Sequence, residues 1–370
     1  MPYPLSGIRV LDLTRLLPGA FASLMLAELG AEVIKIEAPG KGDPMRHLPP
    51  MVGGQGVYHL LLNRGKKSVT LDVHDPASAS VLDSLVSGAD IVMESFRPGT
   101  ARRIGLTAEQ LRARHPRLIH CAITGFGQSG PYANRPGHDL NYVAISGLLA
   151  ADRPDPSELP RMFMADVGGG AMTAAIAILA ALVDRERHGV GATLDVSMHE
   201  ACLYWVMLPA VAELIDGGSE ASGELPTFGR HACYNVYRTR DSQLVALGAL
   251  EPKFWLAFCK AVGRADLSVR HLTGEADQRA LISEIRALFA TRTRAEWLAI
   301  LDGPDLCLTP VNLPAEAFSD PHVRARGTVM QEQGLRAVRA PFTAGPGASL
   351  SAAPALGAHT DDVLREFGAL

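Results

Sequence analysis

Apolar positions in the first part of the chain come in short runs whose character alternates. Ile8–Leu13 reads as a strand. Pro18 opens a helical stretch, Gly19–Leu29, that Gly30 ends, and Glu32–Glu37 reads as a second strand. The rhythm then repeats: Ser68–Asp72 is strand-like, Ala77–Val86 helical, Asp90–Glu94 strand-like, Leu106–Arg114 helical and Leu118–Thr124 a buried strand. Strands alternating with helices predict an α/β fold with a parallel sheet and right-handed crossovers.

After Asp166 the pattern changes. Gly168-Gly169-Gly170 leads into an Ala-rich helix to about Arg187. A Gly189–Gly191 turn, a strand Thr193–Ser197 and a helical run His199–Leu214 come next. Asp216–Pro226 is polar and rich in Gly and Ser, as a linker is. Strands Tyr234–Arg238 and Gln243–Gly248 then form a hairpin, followed by helices over 252–262, 277–291 and 294–302. The expected division is a large domain over 1–198, a linker over 199–230, a small α+β domain over 231–312 and a returning linker over 313–340. A Gly/Pro/Ala-rich connector (342–357) precedes a short C-terminal helix, Asp361–Phe367.

Composition narrows the function classes. The 370 residues suit about two domains, and 47% apolar against 20% charged residues supply a sizeable core. A net charge of −4 and 6% aromatic residues carry no footprint for nucleic acid, although a local basic cluster can still hold a small anion. Five scattered cysteines with no C-x-x-C pair form neither a disulfide framework nor a zinc site, and they point to a reducing, cytoplasmic setting. Charged residues Arg9, Asp12 and Arg15 argue against a secretory signal. The longest helical apolar run, Ala171–Val183, is too short for a bilayer, so no membrane association is expected. No pair of histidines has H-E-x-x-H spacing, and no metal is expected.

Several motifs carry possible chemistry. Gly125-Phe-Gly127-Gln-Ser-Gly130 is a literal G-x-G-x-x-G after a strand, but Pro131, Pro136 and Gly137 turn the next stretch into a loop. The helix that a dinucleotide's pyrophosphate needs is missing. Asp166 before three glycines reads either as a helix N-cap or as a base or nucleophile beside an anion cradle formed by the N–H groups of Gly168, Gly169 and Gly170. His138, followed by Asp139, is either a capping or surface residue or a catalytic one, and Glu251 precedes a helix-opening Pro252. Arg46, Arg64, Lys66, Lys67 and Arg97 cluster in loops near strand ends, where an open α/β sheet takes phosphorylated ligands; the alternative is ordinary solvated charge. Met162, Phe163, Met164, Trp205 and Met207 serve either the core or an adaptable apolar pocket.

Taken in order, Gly7–Asp12, Gly30–Glu37, Asn63–Ser68 with Leu71-Asp72, Phe96–Gly99, Gly125–Pro131, Gly137–Tyr142, Asp166–Gly170 and Leu356–His359 resemble CoA-transferase family III (CaiB/BaiF) over nearly the whole chain. Within it the α-methylacyl-CoA racemase branch is nearest. The resemblance implies a large Rossmann-like domain completed by 341–370, an inserted smaller α+β domain, and an interlocked homodimer. Transferases of the family use the Asp at position 166 as a nucleophile that forms an acyl anhydride. Racemases pair it with a His in the position of His138 and a Glu in the position of Glu251, here expected from the partner subunit.

The racemase branch is therefore the expectation, acting on an acyl-CoA substrate by two-base proton transfer through an enolate, with a CoA-transferase as the alternative. A CoA-ester-binding protein without chemistry is a third reading, against which the retained triad argues. Coenzyme A enters as part of the substrate, with no covalently bound cofactor. The resemblance sets its phosphates near Arg46, Lys66, Lys67 and Arg97 and its adenosine near Asp72.

Overall fold

The alternating pattern folds into a six-stranded sheet in the order Lys67–Thr70, Glu32–Glu37, Arg9–Asp12, Ile91–Glu94, Ile119–Thr124, Thr193–Ser197. Every adjacent pair is parallel. The computed structural model describes residues 3–152, 161–210, 229–303, 306–332, 334–343 and 350–370. The expected Asp216–Pro226 linker lies outside them. The chain divides into two compact units, one of residues 1–216 and 328–370, the other of 217–327.

In the first unit, helices Leu16–Glu28 and Thr173–His188 cover one face of the sheet through Ala22, Leu26, Ala174 and Ile178. The other face packs Leu82, Leu85 and Leu111 together with Val363 and Leu364 of the C-terminal helix Thr360–Glu366. Strand order reverses between Arg9–Asp12 and Ile91–Glu94, so the connections leaving these two strands diverge and open a crevice at their carboxyl ends. The helical run Met164–His188 has 25 residues, long and apolar enough by length and composition to cross a bilayer; the shorter expectation from Ala171–Val183 is corrected. Half of its most apolar window is buried inside the unit.

Beneath the crevice lies a buried set of charges. Asp12 ends its strand and accepts hydrogen bonds from Thr14 N (2.9 Å) and Ser23 Oγ (2.6 Å), with Lys35 and Lys66 at 3.7 and 3.6 Å. Lys35 donates to Thr14 O (2.7 Å) and stands 3.4 Å from Asp43. Glu37 holds Arg46 at both oxygens (2.8 and 2.7 Å) and accepts from Ser68 Oγ at 2.6 Å. Burial opposes ionisation of Glu37, but the Arg46 and Ser68 hydrogen bonds prevail and bring its pKa down to about 2.

The second unit has a three-stranded antiparallel sheet, ordered Leu308–Pro310, Leu244–Gly248, Tyr234–Arg238. Helices Pro252–Ala261, Glu275–Phe289 and Arg294–Ile300 accompany it, and Trp255, Phe258, Phe289 and Trp297 fill the core. The buried indoles are satisfied, Trp255 Nε1 by Leu267 O and Trp297 Nε1 by Phe289 O.

Lys35→Met removes the cation between two buried carboxylates. A stability loss of about 3–5 kcal/mol is expected in the urea unfolding of the first unit; a loss below about 1 kcal/mol would show that the pair is not coupled.

Candidate functional site

The crevice at the strand ends holds a cleft of about 700 Å³, lined among others by Arg15, Phe96, Arg97, Arg135, His138 and Asp166. Leu16, also in the wall, has φ of +63°, a left-handed backbone costly for a side chain with a Cβ. Asp43 Oδ2 holds it there by accepting from Leu16 N at 3.2 Å.

His138 and Asp166 reach this cleft from different elements. His138 precedes the helix Asp139–Ile145 in an extended conformation, and its backbone N–H donates to Asn141 Oδ1 at 3.0 Å. Its imidazole is exposed in the cleft. Asp166 lies in the first turn of the helical run that starts at Met164, so it is not that helix's N-cap. Asp139 satisfies the helix start instead. Its Oδ1 accepts from Asp166 N at 2.8 Å, and the N–H groups of Ala165 and Met164 also bond to it. Burial, and secondly the Asp139 carboxylate, push the Asp166 pKa up to about 6.

The glycines have a different task from the expected anion cradle. Met164–Met172 is π-helical, so the N–H groups of Gly168, Gly169 and Gly170 lie inside a helix rather than at its open end. What these positions need is the absence of a side chain. A Cβ on Gly168 would come within 1.9 Å of the Trp205 ring, and one on Gly170 within 3.0 Å of Met198 and Pro18. Tyr142 explains two further glycines, because its ring fills the space that a Cβ on Gly125 or Gly137 would occupy, 2.3 and 2.7 Å away. The Tyr142 ring meets Phe126 edge-on at 5.1 Å, which anchors the loop after Thr124 in the cleft wall. Burial, then Asp166, pushes its hydroxyl up to about 12.

The basic residues separate into two groups. Arg97 is exposed in the cleft, and Asp72 lines a small neighbouring cavity of about 170 Å³ with Lys41, His74 and Phe96. Arg46 and Lys66 are buried; Arg46 is held by Glu37, and Lys66 donates to Ala20 O, Ser23 Oγ and Asn63 Oδ1. Lys67 starts its strand, at the opposite end from the cleft, and pairs with Glu32 and Glu366. The placement of Arg46, Lys66 and Lys67 on phosphates is thus corrected, because each already has a carboxylate or carbonyl partner away from the cleft. Arg15, Lys41, Arg103 and Arg135 are exposed cations missed in the sequence, although Arg15 could have been found from its position just after the first strand. Glu251 belongs to the second unit, where it is exposed at the start of helix Pro252–Ala261 and makes no side-chain cap bond. Met162 and Phe163 are exposed beside Asp166.

The sequence pattern of CoA-transferase family III matches residues 5–360. The chain belongs to this family. It is 33% identical over 370 aligned residues to the α-methylacyl-CoA racemase of Homo sapiens, covering 98% of this chain and 93% of that protein. It is 34% identical over 382 aligned residues to the succinyl-CoA:glutarate CoA-transferase of Mus musculus, covering 98% and 86% respectively. A crystal structure of a CAIB/BAIF family protein from Brucella suis superposes with a TM-score of 0.85 at 29% identity, over 99% of this chain and all of that one. Family III therefore gives this chain relatives of two reaction types at nearly equal identity, and the distinction falls to the chemistry of the site.

The raised pKa of Asp166 links the site to stability. Its neutral form suits the fold, so this stability is full below the ordinary value of 3.8 and is lost as pH rises through about 6. Asp166→Asn should be more stable than the wild type at pH 8, by on the order of 1 kcal/mol after solvent screening. The difference should close between pH 6 and pH 4 in urea titrations; a gap constant with pH would rule out the shift.

Proposed function

We propose that this family III chain is an acyl-CoA racemase or epimerase that inverts the α-carbon of a 2-methylacyl-CoA thioester. The observation that carries the reading is that His138 and Asp166 line one cleft while Asp166 is pushed up to about 6, close to the range in which a carboxyl both gives and takes a proton. One of the two takes the α-proton. The C–H electron pair moves into the C–C bond, and the thioester oxygen becomes an enolate. The other group, on the opposite face, returns a proton to the same carbon, and the steps run in reverse for the other enantiomer.

Arg15, Arg97 and Arg135 favour negative charge in the cleft, both on the enolate and on the phosphates of coenzyme A. The cavity beside Lys41, Asp72 and Phe96 suits the adenosine end. Met162 and Phe163 supply apolar surface for the acyl chain. The proposal includes Glu251 as the carboxylate that orients the imidazole, an interlocked homodimer with an inserted small domain, a cytoplasmic setting, and coenzyme A present only as part of the substrate.

The competing reading is a CoA-transferase, supported by transferase relatives of similar identity. There Asp166 attacks the thioester carbonyl, the C–S bond breaks, CoA leaves as thiolate and an acyl anhydride remains. The two readings part in heavy water. A racemase washes solvent deuterium into the α-position of a 2-methylacyl-CoA, and His138→Ala and Asp166→Asn each lower that exchange by about 10²–10⁴-fold. Absence of exchange, with hydroxylamine trapping an acyl group on Asp166 and a free acid accepting CoA, would establish the transferase.

A further inference from the structure

The sheet has a second chemically unusual surface, away from the His138–Asp166 cleft. In the register of the last three strands, Val92 lies beside His120, Glu94 beside Ala122, and Ala122 beside Asp195. Alternation therefore puts Glu94, His120 and Asp195 on one face, and Met93, Cys121 and Val196 on the other, in the core under helix Thr173–His188. The polar face forms the floor of a cleft of about 770 Å³ whose walls include Pro98, Ala101, Leu106 and Gln128, with Arg102 and Glu109 exposed at its edge.

Polar groups on that floor are buried without a matching partner. Glu94 is fully buried. One of its oxygens accepts from Phe96 N at 2.5 Å, whereas Oε1 has no hydrogen bond and sits 3.5 Å from His120 Nε2. His120 is 5% exposed, and neither ring nitrogen is hydrogen-bonded among the described residues; the same holds for Gln128 Nε2. Gln128 is nevertheless fixed, because its backbone N–H donates to both Asp195 oxygens, at 2.9 and 3.1 Å. Buried polar groups are nearly always satisfied, and leaving them unmet costs their desolvation. No three His, Cys, Asp or Glu side chains among the described residues gather to hold a metal ion.

We propose that this cleft is a second ligand site. It takes a guanidinium or primary ammonium head on a short apolar chain, with an acceptor oxygen at the other end. The head donates to Glu94 Oε1 and to a ring nitrogen of His120, and the Asp195 charge favours it. The chain lies on Ala101 and Leu106, and the acceptor oxygen meets Gln128 Nε2 and Arg102. Both free arginine or lysine and an arginyl or lysyl residue of a second copy of this chain carry that chemistry. The site is independent of the reaction assigned to His138 and Asp166.

Calorimetric titration of the full chain with L-arginine, L-lysine and agmatine tests it. ¹³C-histidine NMR runs alongside, with the His120 signal assigned by His120→Gln. Saturable binding that moves the His120 resonance, unchanged by saturating CoA, is expected, with agmatine weaker because it lacks the acceptor oxygen. Glu94→Gln, which keeps the oxygen bonded to Phe96 N, should weaken binding by about tenfold or more. Asp195→Asn, on the cleft floor, should weaken it as a second variant. Should a second copy supply the group, the His120 resonance moves with protein concentration instead, and Glu94→Gln abolishes that movement. A His120 resonance indifferent to both the amino acids and protein concentration, or displacement of the probes by CoA, overturns the proposal.

Discussion

The buried charges at the strand ends are the constraint on which the rest of the first unit depends. Asp12, Lys35, Asp43 and Lys66 are within 4 Å of at least one opposite charge, all nearly fully out of water. Such a set is worth little as a net contribution to stability, yet it is costly to break and therefore specifies one arrangement. The arrangement it specifies is that of the loops around the His138–Asp166 cleft. Lys35 holds the carbonyl of Thr14 and Asp43 holds the N–H of Leu16, where the backbone takes its strained left-handed turn. Burial, the first cause, outweighs Asp12 and lowers the Lys66 pKa to about 7.

The Asp166 carboxyl is positioned by a second device of the same kind. Asp139 closes the open start of the helical run from Met164 and, by standing next to Asp166, adds repulsion to the cost of burial. One residue thus both places the catalytic candidate and raises its proton affinity. The π-helical turn after it needs glycine where Trp205 and Met198 press against the backbone. Geometry, proton affinity and local destabilisation are linked here, as is usual where a fold holds a charged group ready for chemistry.

Membership of family III narrows the chemistry to thioesters of coenzyme A without choosing between proton transfer and acyl transfer. A nucleophile works as the carboxylate, whereas an acid–base group works best with a proton affinity near the working pH. The environment of Asp166 favours the second requirement, and the exposed imidazole of His138 lines the same cleft.

Local pattern alone determined the alternation of strands and helices in the first part of the chain, the parallel sheet and the hairpin at 234–248, because periodicity and turn residues act over a few positions. It also excluded the dinucleotide reading of Gly125–Gly130, whose glycines turn out to admit the Tyr142 ring or to hold φ near +80° at Gly127 and Gly130. What a charge does was decided only by the tertiary structure. Arg46 reads in the sequence as a surface cation, but Glu37, Ser68 and Pro354 surround it, the last more than 300 residues away. Lys67 reads like Lys66, yet one is at the sheet's far edge and the other is buried. The same applies to Asp139, Tyr142, and the Glu94–His120 pair under its own cleft. Whether a polar group faces water, an opposite charge or nothing is a property of neighbours brought together by folding, and no local spacing contains it.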